Sequence, residues 1–464
     1  MGNPGRSYNA AWVDYDNDGD LDLWFEEYRG NTSLHQNDGE GSFTPATPPS
    51  FAQSPGGHGV WADFDNDGYP ELFVGGDTET GVRPNALYRG TAGQHFQNVA
   101  TAAGIALTMA TWASAVGDYD NDGWLDIFAL HWYEGGANPA KTNVLFHNRG
   151  DGTFEPVDVG SPIRDGTDNR LGARWVDYDN DGFLDLFLTC GTSGGTTTYP
   201  RLNHLFRNNL AATGNPNHWL KVKLHGQAAN RSGIGAKIRI KATLGGQEIW
   251  QVRELTGNGY SQTCPGLIAH FGLGDATKAD IVRVEWPSGN VQAVTDVAPD
   301  QLLTVTEVVR ITPVRPSSSL GGSVTLTAQL SGTWQWYHDG VALEGKTAKT
   351  LTLSNIQAAE AGRYSVVVDT GSDTFTNHVY LLVDTQFERI EMGDTTASWG
   401  CAWGDYDKDG YPDLFVGEGS FTSRAACSLY RNNQDGTLSK VPRRSGGHRG
   451  TLGELAMRCL GGLR

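Results

Sequence analysis

Asp14–Asp22 reads DYDNDGDLD, five carboxylates in nine residues around one glycine. The phrase returns as DFDNDGYPE (Asp63–Glu71), DYDNDGWLD (Asp118–Asp126), DYDNDGFLD (Asp177–Asp185) and DYDKDGYPD (Asp405–Asp413), so D-x-D-x-D-G-x-x-[DE] occurs five times. No apolar core accommodates such a stretch, and carboxylates this close repel one another unless a cation neutralises them. A solvated acidic turn would account for one copy, but not for a fixed glycine and a fixed ninth-position acid in all five. Oxygen donors at alternate positions suit a hard divalent ion, which points to calcium, one ion per loop. No His or Cys lies inside any loop, which speaks against zinc.

In the first loop Asp14, Asp16 and Asp18 supply side-chain oxygens, Gly19 the positive φ that folds the backbone around an ion, and the carbonyl of Asp20 a further oxygen; Asp22 closes the site. An EF-hand is the rival, but it requires a bidentate Glu at the twelfth position and flanking helices. The twelfth residues are Phe25, Val74, Ala129, Leu188 and Val416, none of them a ligand. The flanks, AAWVD (Ala10–Asp14) and LDLWF (Leu21–Phe25), are short, aromatic and branched without helical periodicity, so each loop joins two strands.

With 464 residues, 61 glycines and 14 tryptophans, the chain is expected to be all-β, rich in turns and built of several domains. No apolar run is long enough to span a membrane. The net charge of −18 argues against a nucleic-acid partner. The loops carry five acids in the first copy and four in each of the others, and only Lys408 offsets them from within. They account for the whole acidic excess. Cys190, Cys264, Cys401, Cys427 and Cys459 are scattered and lack C-x-x-C spacing, so they suggest neither a disulfide framework nor a metal cluster. No signal peptide is visible, and the chain reads as starting inside a repeat.

The first four loops begin at 14, 63, 118 and 177, and other phrases recur in phase: LYRG (Leu87–Gly90), LFHN (Leu145–Asn148), LFRN (Leu205–Asn208) and LYRN (Leu429–Asn432). NRGDGTFEPV (Asn148–Val157) and NNQDGTLSKV (Asn432–Val441) read as strand, tight turn and strand. Each unit offers four short strands, the content of a propeller blade. These units resemble FG-GAP or VCBS repeats, the calcium-loop blades of integrin-α-like β-propellers. The resemblance implies ligands at loop positions one, three, five, seven (through its carbonyl) and nine. These are Asp63, Asp65, Asp67, Tyr69 and Glu71 in the second loop, and Asp118, Asp120, Asp122, Trp124 and Asp126 in the third. They are Asp177, Asp179, Asp181, Phe183 and Asp185 in the fourth, and Asp405, Asp407, Asp409, Tyr411 and Asp413 in the fifth. Glu71 departs by its longer side chain, and Lys408 is expected to face solvent.

Trp12, Trp61, Trp175 and Trp403 each stand two residues before a loop, and Phe73, Phe128, Phe187 and Phe415 each stand eleventh from its first Asp. That register implies packing between blades. HWYEGG (His131–Gly136) is less regular and is the better ligand-contact candidate, although loop packing explains it too.

Between the fourth and fifth loops lie 219 residues of other character. NHWLKVKLHGQAANRSGIGAKIRI from Asn217, then GNGYSQ (Gly257–Gln262), HFGLG (His270–Gly274), VRVEWPSG (Val282–Gly289) and QLLTVTE (Gln301–Glu307) resemble the ASPIC/UnbV domain, which follows a propeller in the cartilage-acidic-protein-like family. Arg231, Gly233, Gly235, Gly257 and Gly259 could bind a ligand, but glycine turns explain them as well. Beyond a Pro- and Ser-rich stretch at Val309–Ser319, the sequence resembles an immunoglobulin-like sandwich, with Trp336 in its core and Tyr364 as its corner tyrosine. Ala328 and Val366 stand where the two cysteines would be, so packing alone must hold it together. The blade phrase then restarts, and the fifth loop is expected to open a second propeller. The expected division is 1–213 for the propeller blades, 214–309 for the ASPIC/UnbV-like domain, 310–385 for the sandwich, 386–441 for the further blade and 442–464 for an irregular tail. Four blades are fewer than the resemblance implies, so the chain reads as a fragment.

No G-x-S-x-G, no H-E-x-x-H and no phosphate-cradling glycine loop is present. The expected function is therefore non-catalytic: a calcium-binding, secreted or cell-surface protein that binds an extracellular protein or glycan. The alternative is a carbohydrate-active enzyme, or its accessory module, with a site on a propeller face.

Overall fold

The computed structural model describes the chain apart from residues 1–6, 28–30, 39–41, 47–50, 52–57, 77–82, 91–95, 110, 132–141, 159, 161–162, 164–169, 191–202, 257–266, 372–373, 385–397, 408, 421–422, 425–427, 435–436 and 442–464. HWYEGG beyond His131, GNGYSQ, Lys408 and the tail lie outside the described residues.

The described chain is nearly all β. Blade one is a four-stranded antiparallel sheet of β1 (Ser7–Val13), β2 (Asp22–Glu27), β3 (Asn31–Asn37) and β4 (Phe43–Pro45). Blade two repeats it with β5 (Gly59–Ala62), β6 (Glu71–Val74), β7 (Ala86–Arg89) and β8 (Gln97–Asn98). Blade three has β9 (Thr111–Gly117), β10 (Asp126–His131), β11 (Val144–Asn148) and β12 (Phe154–Val157), and blade four has β13 (Arg170–Val176), β14 (Asp185–Cys190) and β15 (His204–Phe206). Each acidic loop joins the first two strands of its blade.

The second strand of a blade that has a neighbour on either side reads as a continuous apolar run because it is covered on both faces. Successive side chains of a strand point to opposite sides. In β10, Ile127 and Ala129 pack with Phe64, Phe73 and Leu87 of blade two, whereas Phe128 and Leu130 pack with Ala173, Leu186 and Leu188 of blade four. In β2, Trp24 faces Leu72 and Tyr88 of blade two, while Leu23 and Phe25 face the other way, toward Tyr406 and Leu429.

Those last residues belong to blade five, formed by β31 (Ser398–Gly404), β32 (Asp413–Ser420), β33 (Ser423–Arg424), β34 (Ser428–Asn432) and β35 (Leu438–Lys440). The expectation of a second propeller is thereby corrected: blade five packs against blade one, giving the order five, one, two, three, four. The same contacts recur at several junctions. Trp175 of blade four covers Gly117 of blade three, and Trp12 of blade one covers Gly404 of blade five, so a Cβ on either glycine would lie 2.8 or 2.9 Å from the indole. The side chain of Asn148 donates to the carbonyl of Phe64, that of Asn208 to Tyr119 (both 2.7 Å), and that of Asn37 to Tyr406. Trp403, at the start of blade five, departs from the packing expected of the four tryptophans. It is 41% exposed, and on the far flank of blade four Tyr178 is 47% and Leu205 48% exposed. No described blade covers these two flanks.

After blade four, β16 (His218–His225), β17 (Lys237–Leu244), β18 (Gln247–Glu254), β19 (Ile268–Gly274), β20 (Ala279–Glu285), β21 (Val291–Val297) and β22 (Gln301–Thr306) form two sheets, ordered β19-β16-β22 and β18-β17-β20-β21. Their alternating apolar residues close on one core that includes Leu220, Val222, Ile238, Ile240, Phe271 and Val282. A second sandwich follows: β23 (Ile311–Thr312), β24 (Ser317–Ser319), β25 (Ser323–Ala328), β26 (Thr333–His338), β27 (Val341–Ala342), β28 (Thr350–Ser354), β29 (Gly362–Asp369) and β30 (Thr374–Asp384). Trp336 is fully buried between its sheets with Ala328 and Val366 beside it in the core, and the Tyr364 hydroxyl donates to the Glu360 carbonyl at 3.0 Å. The modules are not isolated beads. Arg315 donates to the Gln227 carbonyl at 2.7 Å, and the Tyr380 ring packs edge-on against Tyr411 of blade five.

Candidate metal centre

Two left-handed residues fold each loop. Gly19, Gly68, Gly123, Gly182 and Gly410 have φ between 86° and 96°, as the sequence requires of position six. Position four is left-handed too: Asn17, Asn66, Asn121 and Asn180 have φ between 55° and 63°. Asparagine tolerates this region better than other side-chain-bearing residues. Here its amide also ties the loops together. Asn17 donates to the Gly68 carbonyl at 2.5 Å, Asn66 to Gly123 and Asn121 to Gly182, both at 3.1 Å. The sequence carries this Asn in four of the five loops.

Inside each loop the carboxylates turn inward on backbone donors. The sixth-position N–H donates to Oδ2 of the first Asp, from Gly68 to Asp63 at 3.1 Å, Gly123 to Asp118 at 2.9 Å, Gly182 to Asp177 at 3.1 Å and Gly410 to Asp405 at 2.9 Å. The seventh-position N–H of Asp20, Tyr69, Trp124, Phe183 and Tyr411 donates to the fifth-position carboxylate of Asp18, Asp67, Asp122, Asp181 and Asp409 at 2.8–3.0 Å. The ninth acid accepts from the second-position N–H, as in Tyr119 to Asp126 at 3.1 Å. It also accepts from the end of the third strand, as in Asn37 to Asp22 (2.8 Å), Asn208 to Asp185 (2.7 Å) and Asn432 to Asp413 (2.6 Å). Position nine therefore braces the loop as well as facing it. In blade two Gly90 replaces that Asn, and Glu71 bonds only the Phe64 N–H, at 2.8 Å, leaving Oε1 buried without a hydrogen-bond partner.

The sequence-predicted acids do converge. One oxygen each from Asp14, Asp16 and Asp18, from Asp63, Asp65 and Glu71, from Asp118, Asp120 and Asp122, and from Asp177, Asp179 and Asp185 lie within 4.8 Å of one another. The first acids are buried, and Oδ1 of Asp14, Asp63, Asp177 and Asp405 has no hydrogen-bond partner although Oδ2 is bonded in each. A buried carboxylate oxygen without a donor is costly, and an all-oxygen cage with such oxygens fits a hard cation.

The electrostatics agree. Burial pushes the ninth-position carboxyls of Asp22, Glu71 and Asp413 up to about 9 and that of Asp126 to about 7. Asp63, Asp122 and Asp409 are pushed to about 7, first by burial and then by neighbouring carboxylates. Asp118 and Asp405 lie well above the usual range for the same reasons.

In four of the blades a basic residue on the third strand or just past its end reaches back to the loop. Arg89 pairs with Asp65 at 3.0 Å, Arg207 with Asp179 at 2.7 Å and Arg431 with Asp407 at 2.5 Å. In blade three His147 takes this place, 3.4 Å from Asp120 and 3.3 Å from Asp126, and its pairing with Asp126 raises it to about 9. In blade one it is Gln36, 2.7 Å from Asp16. The signal lay in the repeated L-Y-R-N phrase, whose third residue is this partner. Among the described residues no helix is long and apolar enough to cross a membrane.

The FG-GAP-like repeat family matches residues 14–74, 63–129 and 135–188, and the family described as ASPIC and UnbV matches residues 226–311. The chain is 27% identical to human cartilage acidic protein 1 over 296 residues, 62% of this chain and 42% of that protein, and 26% identical to the mouse protein over 298 residues, 62% and 43%. It thus spans about two-fifths of the length of these relatives. Among solved structures, the N-terminal four Ig domains of Dscam1 isoform 7.44 align over 45% of this chain and 56% of that one at 12% identity with a TM-score of 0.16, a likeness too low to carry an argument. The chain carries FG-GAP-like repeats followed by an ASPIC and UnbV domain, and it is homologous to cartilage acidic protein 1.

Proposed function

We propose that the chain is a non-catalytic, calcium-dependent binding protein of the extracellular space, whose five acidic loops each take one Ca2+. The observation that carries the reading is the orphaned Oδ1 of the buried first-position Asp, repeated at Asp14, Asp63, Asp177 and Asp405. Charge supports a single divalent ion. Loop four has four carboxylates, two protein cations (Arg207 and Lys221) bond them, and the remaining two negative charges equal one Ca2+. The ligand set is that named from the repeat: positions one, three, five and nine through side chains, and position seven through its carbonyl.

The extracellular assignment rests on affinity and on the homology. Loops of such extracellular modules typically bind at roughly 10⁻⁴–10⁻³ M, a concentration of calcium met outside cells. Adhesion or matrix binding to a protein or glycan is the role proposed for the assembled surface. Isothermal titration tests the metal reading: about five calcium ions should bind the parent and one fewer should bind Asp118→Ala. A flat titration, or a melting temperature identical in EDTA and in millimolar calcium, refutes it. Secretion of the tagged full-length protein tests the location, and retention in the cytoplasm counts against it.

A further inference from the structure

We propose that the second module, His218–Thr306, is clamped onto the propeller by the filled calcium loops: the loops that hold the ions are the surface on which it sits. The inference rests on the calcium reading above. Two of its lysines end on first-position aspartates. Lys221 Nζ lies 2.7 Å from Asp177 Oδ2 and 3.0 Å from Asn180 Oδ1, and Lys237 Nζ bonds Asp14 Oδ2 and, at 3.0 Å, Asn17 Oδ1. In both cases the ammonium takes Oδ2, while Oδ1 of the same carboxylate has no hydrogen-bond partner. Lysine and ion therefore share a carboxylate without competing for one oxygen. The Arg253 guanidinium adds its field to Asp63 and Asp118.

The module also reads the loop backbone. The Gly274 N–H donates to the Asn121 carbonyl at 2.8 Å, and a His270 ring nitrogen lies 3.0 Å from the Gly182 carbonyl. Asn215 and Asn217, just ahead of β16, both donate to the Asp120 carbonyl, at 3.2 and 3.0 Å. Contact is close enough to exclude a side chain: a Cβ on Gly272 would stand 2.0 Å from Asp118 Oδ2 and 2.6 Å from Asn121 Cα.

These contacts require the folded shape of the loops. Without an ion, the clustered carboxylates repel, and the shape that the module reads is no longer enforced. Whatever free energy calcium contributes to docking, docking returns to calcium affinity. Partner bonds that orient a metal ligand are typically worth about 10–100-fold in affinity.

The test is hydrogen exchange on the full chain along a calcium titration. Amides of β16 and β19 should gain protection with the same calcium midpoint as loops three and four. Gly272→Val removes no ligand and no cation. It should weaken binding at loop three by about tenfold and leave loop five unchanged. Lys221→Met makes an independent test at loop four, if the valine variant does not fold, and should shift the β16 midpoint to higher calcium. If calcium binds but β16 and β19 are equally protected at zero and saturating calcium, or the midpoint ignores Lys221→Met, the clamp is overturned while the calcium reading stands. If no calcium binds, both fall.

Discussion

Protons should compete with calcium, and the structure sets where. Asp22, Glu71 and Asp413 stand near 9 because burial penalises their charge. Below that pH each is protonated while its loop is empty, so an arriving ion must displace a proton. One displaced proton lowers affinity tenfold per pH unit. Loop one should then weaken by roughly 100-fold between about pH 8 and about pH 6, and loops two and five by more, since Asp63 and Asp409 stand near 7 in them. In loop three Asp118 lies well above the usual range and Asp122 and Asp126 stand near 7, so its decline should steepen as pH falls through about 7. The sign for folding is opposite. A carboxyl raised in the folded state contributes stability that is fully present below its unfolded value of roughly 4 and is lost as pH rises through the folded value. In EDTA the protein should therefore lose stability as pH climbs toward about 9, and saturating calcium should abolish that loss. Calorimetric titrations in two buffers of different ionisation enthalpy count the released protons directly. Equal affinities at both pH values, with no proton release, would refute the argument.

Trp336→Ala should cost about 3–5 kcal/mol in the second sandwich through the lost ring and its 2.9 Å bond to the Ala348 carbonyl, read as accelerated exchange of β26 and β29 amides. Reducing agent should leave that sandwich folded, since Ala328 and Val366 occupy the bridging positions; a reductant-sensitive melt would contradict it. Trp12→Ala should cost a comparable ~3–5 kcal/mol, whereas Trp403→Ser should cost clearly less, about 1–2 kcal/mol, because its ring is already 41% exposed, and equal costs in urea titrations would refute the blade order. Asn148→Ala removes the donor to two carbonyls, Phe64 at 2.7 Å and Leu125 at 3.1 Å, and should destabilise by about 1–3 kcal/mol for each one left buried without a partner.

The loops, their strands and the order of modules were legible because each is written in local sequence at a fixed register. Asp14 to Asp22 specifies its own turn, and Phe128 eleventh from Asp118 specifies which strand is buried. The neighbour of blade one was not legible. Asn37 meets Tyr406 across 369 residues, and nothing near either residue encodes the other. The seat of the second module was hidden for a different reason. Lys221 and Lys237 fall on strands whose alternation is that of any half-buried sheet, so a lysine there reads as a solvated face until the partner Asp is placed. Position-four Asn and third-strand Arg were visible as repeats, but their partners lie on a neighbouring loop or on a distant strand of the same blade.

The blade order has a consequence for synthesis on the ribosome. Leu23 and Phe25 of blade one acquire their cover, Tyr406 and Leu429, only after both intervening modules have emerged. At a translation rate of about 5–20 residues per second, the 369 residues from Asn37 to Tyr406 take roughly 20–70 s. Throughout that interval the apolar flank of the first blade stands bare on the nascent chain, offered to chaperones or to the same flank of a neighbouring copy. Blade five thus relieves an exposure that blade one carries from the moment it emerges.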